Sequence, residues 1–275
     1  NKMVTTAYKY GLVSGVRFTG SGTVLVVDNS EYNFSDILEI INYVPVLEAR
    51  GFRVITPTLR HHDAAPGDPP PPELGRTGIL DYATDLEALV RELPEPPVLV
   101  GHSMGGLLAL ILAERGLARA AALLTPACPA GILALSPAVL RAFAGILATP
   151  GFWRRPVRPG YRAARHGFLL GFPDERSRRA VHERLVHESG RAVFEIGLWP
   201  LDRRRAARVR LDAVQVPTLV VGARRDHATP AFAVRALARR LPAARHVEVD
   251  MAHWVPAEPG WERVAALLAD WLEQV

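Results

Sequence analysis

Pro97-Val-Leu-Val-Gly-His-Ser-Met-Gly-Gly-Leu-Leu-Ala109 is the stretch whose reading decides the fold. Pro97-Val-Leu-Val100 is a compact apolar run with the character of a buried strand, and Leu107 to Ala113 has that of an apolar helix. Between them lies the turn Gly101-His-Ser-Met-Gly105, with a glycine two residues to either side of Ser103. A serine hydroxyl is a weak nucleophile and has to reach a base and a substrate at once. A sharp strand-to-helix turn exposes it, the flanking glycines relieve the crowding, and the new helix aims the Met104 N–H at developing negative charge. Ser103 is therefore the candidate nucleophile, with Met104 as an oxyanion donor. His102 sits inside the turn and is read as structural.

Outward from this turn, strand and helix signals alternate. Gly51-Phe-Arg-Val-Ile-Thr-Pro57 is a β-rich run bounded by glycine and proline, and the proline-rich stretch Pro66 to Pro72 is a loop. Leu80 to Leu93 repeats its apolar residues at helical spacing. Ala120 to Leu124, Thr218 to Val221 and His246 to Val249 read as further buried strands, and Trp261 to Leu272 as an amphipathic closing helix. Such alternation predicts an α/β protein with a parallel sheet covered on both faces. Residues 131–212 interrupt it. They hold helical stretches near Pro137–Leu147, Asp174–Glu188 and Ala192–Leu198 but no good strand, and read as a helical cap inserted into a core of residues 1–130 and 213–275.

A nucleophile in such a turn calls for an acid and then a histidine further along the chain. Asp226 follows the strand at Thr218–Val221 and the turn Gly222-Ala-Arg-Arg225, the strand-end position at which such sheets place ligands and chemistry. Its plainer reading is a loop carboxylate paired with Arg224 or Arg225. Asp202, Asp212 and Asp250 follow no buried strand in this way. His253, in Met251-Ala-His-Trp254, comes just after the last strand and is the candidate base, with His227 and His246 as rivals. In these roles His253 takes the Ser103 proton and Asp226 holds its tautomer.

Composition narrows the function classes. With 275 residues the chain can bury a large core, and 49% apolar residues mark it as globular. No run is long and apolar enough for a transmembrane helix, and no signal peptide is read at the N-terminus. Cys128 is the only cysteine, so no internal disulfide forms and a reducing, cytoplasmic home is the simplest expectation. The net charge of +5 comes without a basic stripe interleaved with aromatics, which argues against nucleic acid. His61-His62 lacks nearby third and fourth ligands and is read as a loop pair rather than a metal site. Residues 131–210 hold sixteen arginines against six acids, read as a solvated arginine-rich cap rather than an anion-attracting one. Both lysines and all four asparagines lie before residue 44, whereas every proline lies at or after Pro45. The N-terminal 44 residues thus differ in character from the rest.

From Pro45 to Val275 the chain resembles the α/β-hydrolase superfamily, in its esterase and lysophospholipase-like branch. The likeness rests on Leu47-Glu-Ala-Arg-Gly-Phe-Arg-Val-Ile-Thr-Pro57, Val100-Gly-His-Ser-Met-Gly-Gly106, Pro217-Thr-Leu-Val-Val-Gly222 with Asp226, and Ala252-His253. It implies an eight-stranded, mostly parallel sheet, a cap, a Ser-Asp-His triad and no cofactor. One element departs from the pattern. The strand Thr23-Val-Leu-Val-Val27 should end in His-Gly, yet Asp28-Asn29-Ser30 follows, leaving the backbone N–H of Ser30, or of Asn29, as the second oxyanion donor. The expectation is hydrolysis of esters of small to medium hydrophobic acyl groups through an acyl-enzyme. The same triad acting on a lactone, a C–C bond or a peracid is one alternative. A binding or scaffold protein, impaired by Asp28-Asn29, is the other. The expected partner is a small hydrophobic ester, and the sequence assigns no oligomeric state.

Overall fold

The structure is a computed structural model that describes the backbone of residues 13–19, 22–27 and 30–33 and all of residues 42–275. It divides into two compact units, Asn1–Leu38 and Glu39–Val275. In the first, β1 (Val13–Thr19), β2 (Gly22–Val27) and β3 (Ser30–Asn33) form an antiparallel meander in that order. Ser30 opens β3 opposite Val27. Asp28 and Asn29 lie outside the described residues.

The second unit begins with α1 (Tyr43–Ala49) and α2 (Ile79–Arg91). It continues through β4 (Val98–His102), α3 (Met104–Glu114) and β5 (Ala120–Leu124). A long excursion follows, with α4 (Pro137–Leu147), β6 (Pro156–Val157), α5 (Tyr161–Gly167), α6 (Glu175–Glu183), β7 (Glu188–Ser189) and α7 (Gly190–Gly197). The chain then returns as β8 (Thr218–Ala223), α8 (Ala231–Ala238), β9 (Ala244–Val249) and α9 (Trp261–Leu272). The strands β4, β5, β8 and β9 lie side by side in that order and all run parallel.

Alternation along the central strands divides the core into two layers. Ala121 and Leu123 of β5 and Val220 of β8 pack with α2, α3 and α8. Their neighbours Ala120, Ala122, Leu124, Leu219 and Val221 pack with α1 and α9 on the other side. A parallel sheet sandwiched in this way needs strands that are apolar on both faces, and Ala-Ala-Ala-Leu-Leu124 meets that demand in full. Helix α3 is buried from Gly106 to Ala113, so its sequence is apolar all round, whereas α9 buries Val264, Ala265, Leu268, Ala269 and Leu272 along one face only.

Two expectations are corrected. Phe52 to Thr56 carries β-rich residues but forms no strand; among the described residues β4 is the edge of its sheet. β-propensity records fit to a pleated surface and does not create a ladder partner. Conversely, residues 131–212 do contain strands. β6 and β7 pair antiparallel over two residues each, too short to leave a periodic signature. Among the described residues the parallel sheet has four strands. The excursion is tied to the core through Glu195 of α7, which accepts the Ile79 N–H at the start of α2 (2.7 Å) and pairs with Arg191 (2.7 Å). Burial pushes the Glu195 carboxyl upward, against the pull of those two donors.

Candidate active site

Ser103 occupies the junction of β4 and α3 with φ +52° and ψ −118°, a backbone conformation that a side-chain-bearing residue adopts only when its surroundings impose it. The constraint is visible. A Cβ on Gly101 would lie 2.1 Å from the Gly105 carbonyl oxygen, and one on Gly106 would lie 2.6 Å from Pro126 Cβ. Nothing stands within 4 Å of the corresponding point on Gly105. The crowding that demands glycine is therefore at 101 and 106, not symmetrically at 101 and 105. Backbone bonds finish the turn: the Ser103 N–H donates to Leu124 O (3.0 Å) and its carbonyl accepts from Ala127 N–H (2.8 Å). Met104 is the first residue of α3, where backbone N–H groups have no partner within the helix.

Within hydrogen-bond reach of the Ser103 hydroxyl, at 3.1 Å, is Nε2 of His253. The other ring nitrogen, Nδ1, is 2.8 Å from Asp226 Oδ2. A carboxylate only accepts, so the network assigns Nδ1–H to the Asp226 side and leaves the Nε2 lone pair toward the serine. His253 and Asp226 are 3% and 4% exposed, so their bond is shielded from water, while Ser103 is half-buried and remains reachable.

Asp226 is fixed by its own loop. Its Oδ1 accepts the N–H groups of Ala228 (2.7 Å) and Thr229 (2.8 Å), and the Thr229 hydroxyl lies 2.7 Å from Oδ2. With His253 this fills the four acceptor positions of a carboxylate. Neither arginine considered as its partner binds it: Arg225 pairs with Asp250 (3.3 Å) and Arg224 with Glu248 (3.7 Å). Thr229 escaped the sequence reading, although Asp-x-x-Thr before Pro230 is the spacing of a side chain that folds back on its own loop.

His253 is held from behind by groups that no local pattern announces. The His253 carbonyl accepts His102 Nε2–H (2.9 Å) and the Thr125 hydroxyl (3.0 Å). Thr125 follows β5 with φ +40° and is fully buried. The ring of Phe168 meets that of His253 edge-on, with centroids 5.5 Å apart. Below them Glu258 binds the Ala252 N–H, and burial pushes its carboxyl upward. Trp254, Leu169 and Phe172 form an apolar cluster with Phe168 at its edge.

The rival histidines are engaged elsewhere. His227 Nδ1 lies 3.0 Å from the His166 carbonyl, and His246 is on β9 beside Glu248. His62 faces Glu188 at 3.3 Å. Among the described residues no group of three or more histidine, cysteine or acidic side chains could hold a metal ion, and no helix is long and apolar enough to cross a membrane. Cys128 is buried, and its thiol is pushed up to about 12 by that burial and by Asp226, so it offers no competing thiolate near neutral pH. Ser30 belongs to the first unit.

Comparison with known proteins agrees with this architecture. Solved structures similar to the chain include a pyrethroid hydrolase from Sphingobium faniae JZ-2, at 23% identity and TM-score 0.59, covering 84% of this chain and 90% of that one. A monoacylglycerol lipase from Paleococcus ferrophilus matches at 21% identity and TM-score 0.58, covering 84% and 86%. A methylesterase from Arabidopsis matches at 16% identity and TM-score 0.59, covering 85% and 92%. At such identities the likeness is one of fold. No curated protein matches the chain. The profile described as "Alpha/beta hydrolase family" matches residues 20–267, nearly the whole chain, and the protein belongs to that family.

Proposed function

We propose that the protein hydrolyses carboxylic esters through an acyl-enzyme formed on Ser103. The observation that carries this reading is the unbroken line from Asp226 through His253 to the Ser103 hydroxyl, at 2.8 and 3.1 Å. Ser103 Oγ attacks the ester carbonyl as His253 Nε2 takes its proton, and Asp226 stabilises the imidazolium. The resulting oxyanion lies against the Met104 N–H, with the Ser30 N–H as the proposed second donor. His253 returns the proton to the leaving alcohol. Water then attacks the acyl-enzyme under the same base, releasing the acid and restoring Ser103. The cluster of Leu169, Phe172 and Trp254, with Phe168 against His253, favours an apolar acyl group. Esterase and lipase activities named for the similar structures accord with this assignment.

A panel of p-nitrophenyl esters of increasing chain length, run beside Ser103→Ala, tests the reading. Turnover with the native chain and a loss on the order of 10⁴-fold or more in the variant is expected. A fluorophosphonate probe should label Ser103. No adduct and no ester turnover would remove the assignment. Replacing Asp28-Asn29 by His-Gly examines the second donor: a sharp rise in turnover would mean that the natural loop supplies it poorly.

A further inference from the structure

The loop that carries His253 leans on a second buried acid. Glu258, 1% exposed, reaches back six residues, and its Oε1 accepts the Ala252 N–H. Ala252 precedes His253 directly. The carboxyl therefore holds the backbone on one side of the histidine, while His102 and Thr125 hold its carbonyl on the other. The second oxygen, Oε2, is buried and has no hydrogen-bond partner among the described residues. It faces the excursion: a Cβ on Gly171 would lie 1.7 Å from it. Gly171 belongs to the turn after α5, between Phe168, which meets His253 edge-on, and Phe172, which meets Trp254 edge-on. Residues 168–172 and 253–258 thus form an aromatic seam with a single carboxyl set in it.

Such a setting suits a carboxylic acid and not a carboxylate. An ion needs donors at both oxygens to replace its lost hydration, and only the Ala252 N–H is present. The charged and titratable groups around it do not make up the difference. Arg225, exposed on the loop after β8, pairs with Asp250 at 3.3 Å, and Asp226 on the same loop repels a second anion. Tyr43 of α1 gives its hydroxyl to the Val255 carbonyl (3.0 Å), and Gly171 brings no charge. His253 is uncharged until it takes the Ser103 proton. A protonated Glu258 fits between Gly171 and Ala252, whereas an ionised one is drawn toward water, away from the Ala252 N–H.

We propose that Glu258 is a positioning residue for ester cleavage: lodged between Gly171 and the Ala252 N–H, its protonated carboxyl keeps His253 where Nε2 reaches Ser103. The link to cleavage rests on the serine-hydrolase reading, whereas the positioning of His253 does not. Ionisation of Glu258 releases the hold, so turnover falls as pH rises through its folded-state pKa. Protonation of His253 limits turnover at the acid end.

The test is kcat for p-nitrophenyl butyrate followed from about pH 5 to about pH 10. The native profile is expected to be bell-shaped, with His253 on the acid side and Glu258 on the alkaline side. Glu258→Ala leaves the buried Ala252 N–H unpaired and should lower kcat about tenfold, with KM within about twofold of native. Glu258→Gln restores an acceptor that cannot ionise, so it should recover most of that loss and abolish the alkaline limb. Its acid limb should stay in place, because one neutral group replaces another. Gly171→Ala should lower kcat in the native background and add nothing in Glu258→Ala, where the space is vacant. A native profile flat to about pH 10, an alkaline limb that Glu258→Gln retains, or an acid limb that it moves by about half a unit or more would overturn the proposal. So would native kcat in Glu258→Ala. The downfield proton resonance of His253 Nδ1–H, held against Asp226, reads the position of the ring without turnover. It should broaden or shift in Glu258→Ala and return in Glu258→Gln; an identical resonance in all three proteins would overturn the positioning role. If no ester is hydrolysed, the serine-hydrolase reading fails by itself, and this resonance still judges Glu258.

Discussion

The turn after β4 and the loop after β8 fix their key residues by opposite means. Ser103 is placed by exclusion: glycines at 101 and 106 let backbones approach where no Cβ fits, and the serine takes a φ of +52° as a result. Asp226 is placed by attraction, since Ala228, Thr229 and His253 together occupy its acceptor positions. The difference teaches where each will fail. A turn built on steric fit fails all at once when an atom is added, whereas a loop built on several hydrogen bonds weakens by degrees as donors are removed.

The largest effect should come from Asp226→Asn, which keeps the loop nearly isosteric but reverses the His253 tautomer. A loss of about 10⁴-fold in kcat is expected with little change in unfolding midpoint, measured by steady-state kinetics and urea titration. A drop in kcat below tenfold would mean that the loop only supports the fold. Gly101→Ala breaks the other side of the comparison. With a Cβ 2.1 Å from a backbone oxygen, it should cost about 3 kcal/mol or more in urea unfolding, and activity should fall with the folded fraction or further. Thr229→Val removes one hydroxyl donor from Asp226 and leaves the two N–H donors. A loss of about tenfold in kcat, with about 1 kcal/mol of stability, should register it.

Glu258→Gln sharpens the comparison through pH. The folded-state pKa of Glu258 is raised by burial, so its contribution is fully present below the unfolded carboxyl pKa and is lost as pH rises through the folded value. Glutamine keeps an oxygen for the Ala252 N–H and cannot ionise. The variant should match the native Tm near about pH 4 and exceed it near about pH 8, read by calorimetry. The smallest effect belongs to Gly105→Ala, where the space is open: within about 0.5 kcal/mol of native stability.

What could be read in the sequence followed from local pattern. Ala120 to Leu124 and Trp261 to Leu272 form elements with the bounds read from the chain, because a wholly apolar run and a one-sided apolar face each carry their own period. The same logic located Ser103 at a strand end and Asp226 and His253 beyond two others. It could not find Thr125, His102 acting on the His253 carbonyl, or Phe168, since each meets His253 only after chain segments tens of residues apart have folded together. Phe52 to Thr56 misled for the converse reason: the residues suit a strand, but strandhood belongs to a pair. The short, arginine-bearing α5 was also invisible, because Tyr-Arg-Ala-Ala-Arg-His-Gly167 spans too few turns to display an apolar stripe.

The order β4-β5-β8-β9 gives the molecule two poles. Ser103, Thr125, Asp226 and His253 all emerge where these parallel strands end, and Val98, Ala120, Thr218 and Ala244 mark the edge where they begin. The proposed chemistry thus lies along one rim of the sheet, and the opposite rim takes no part in it. Evolution can therefore add robustness at the rim where strands begin without renegotiating the geometry of the turn at Ser103.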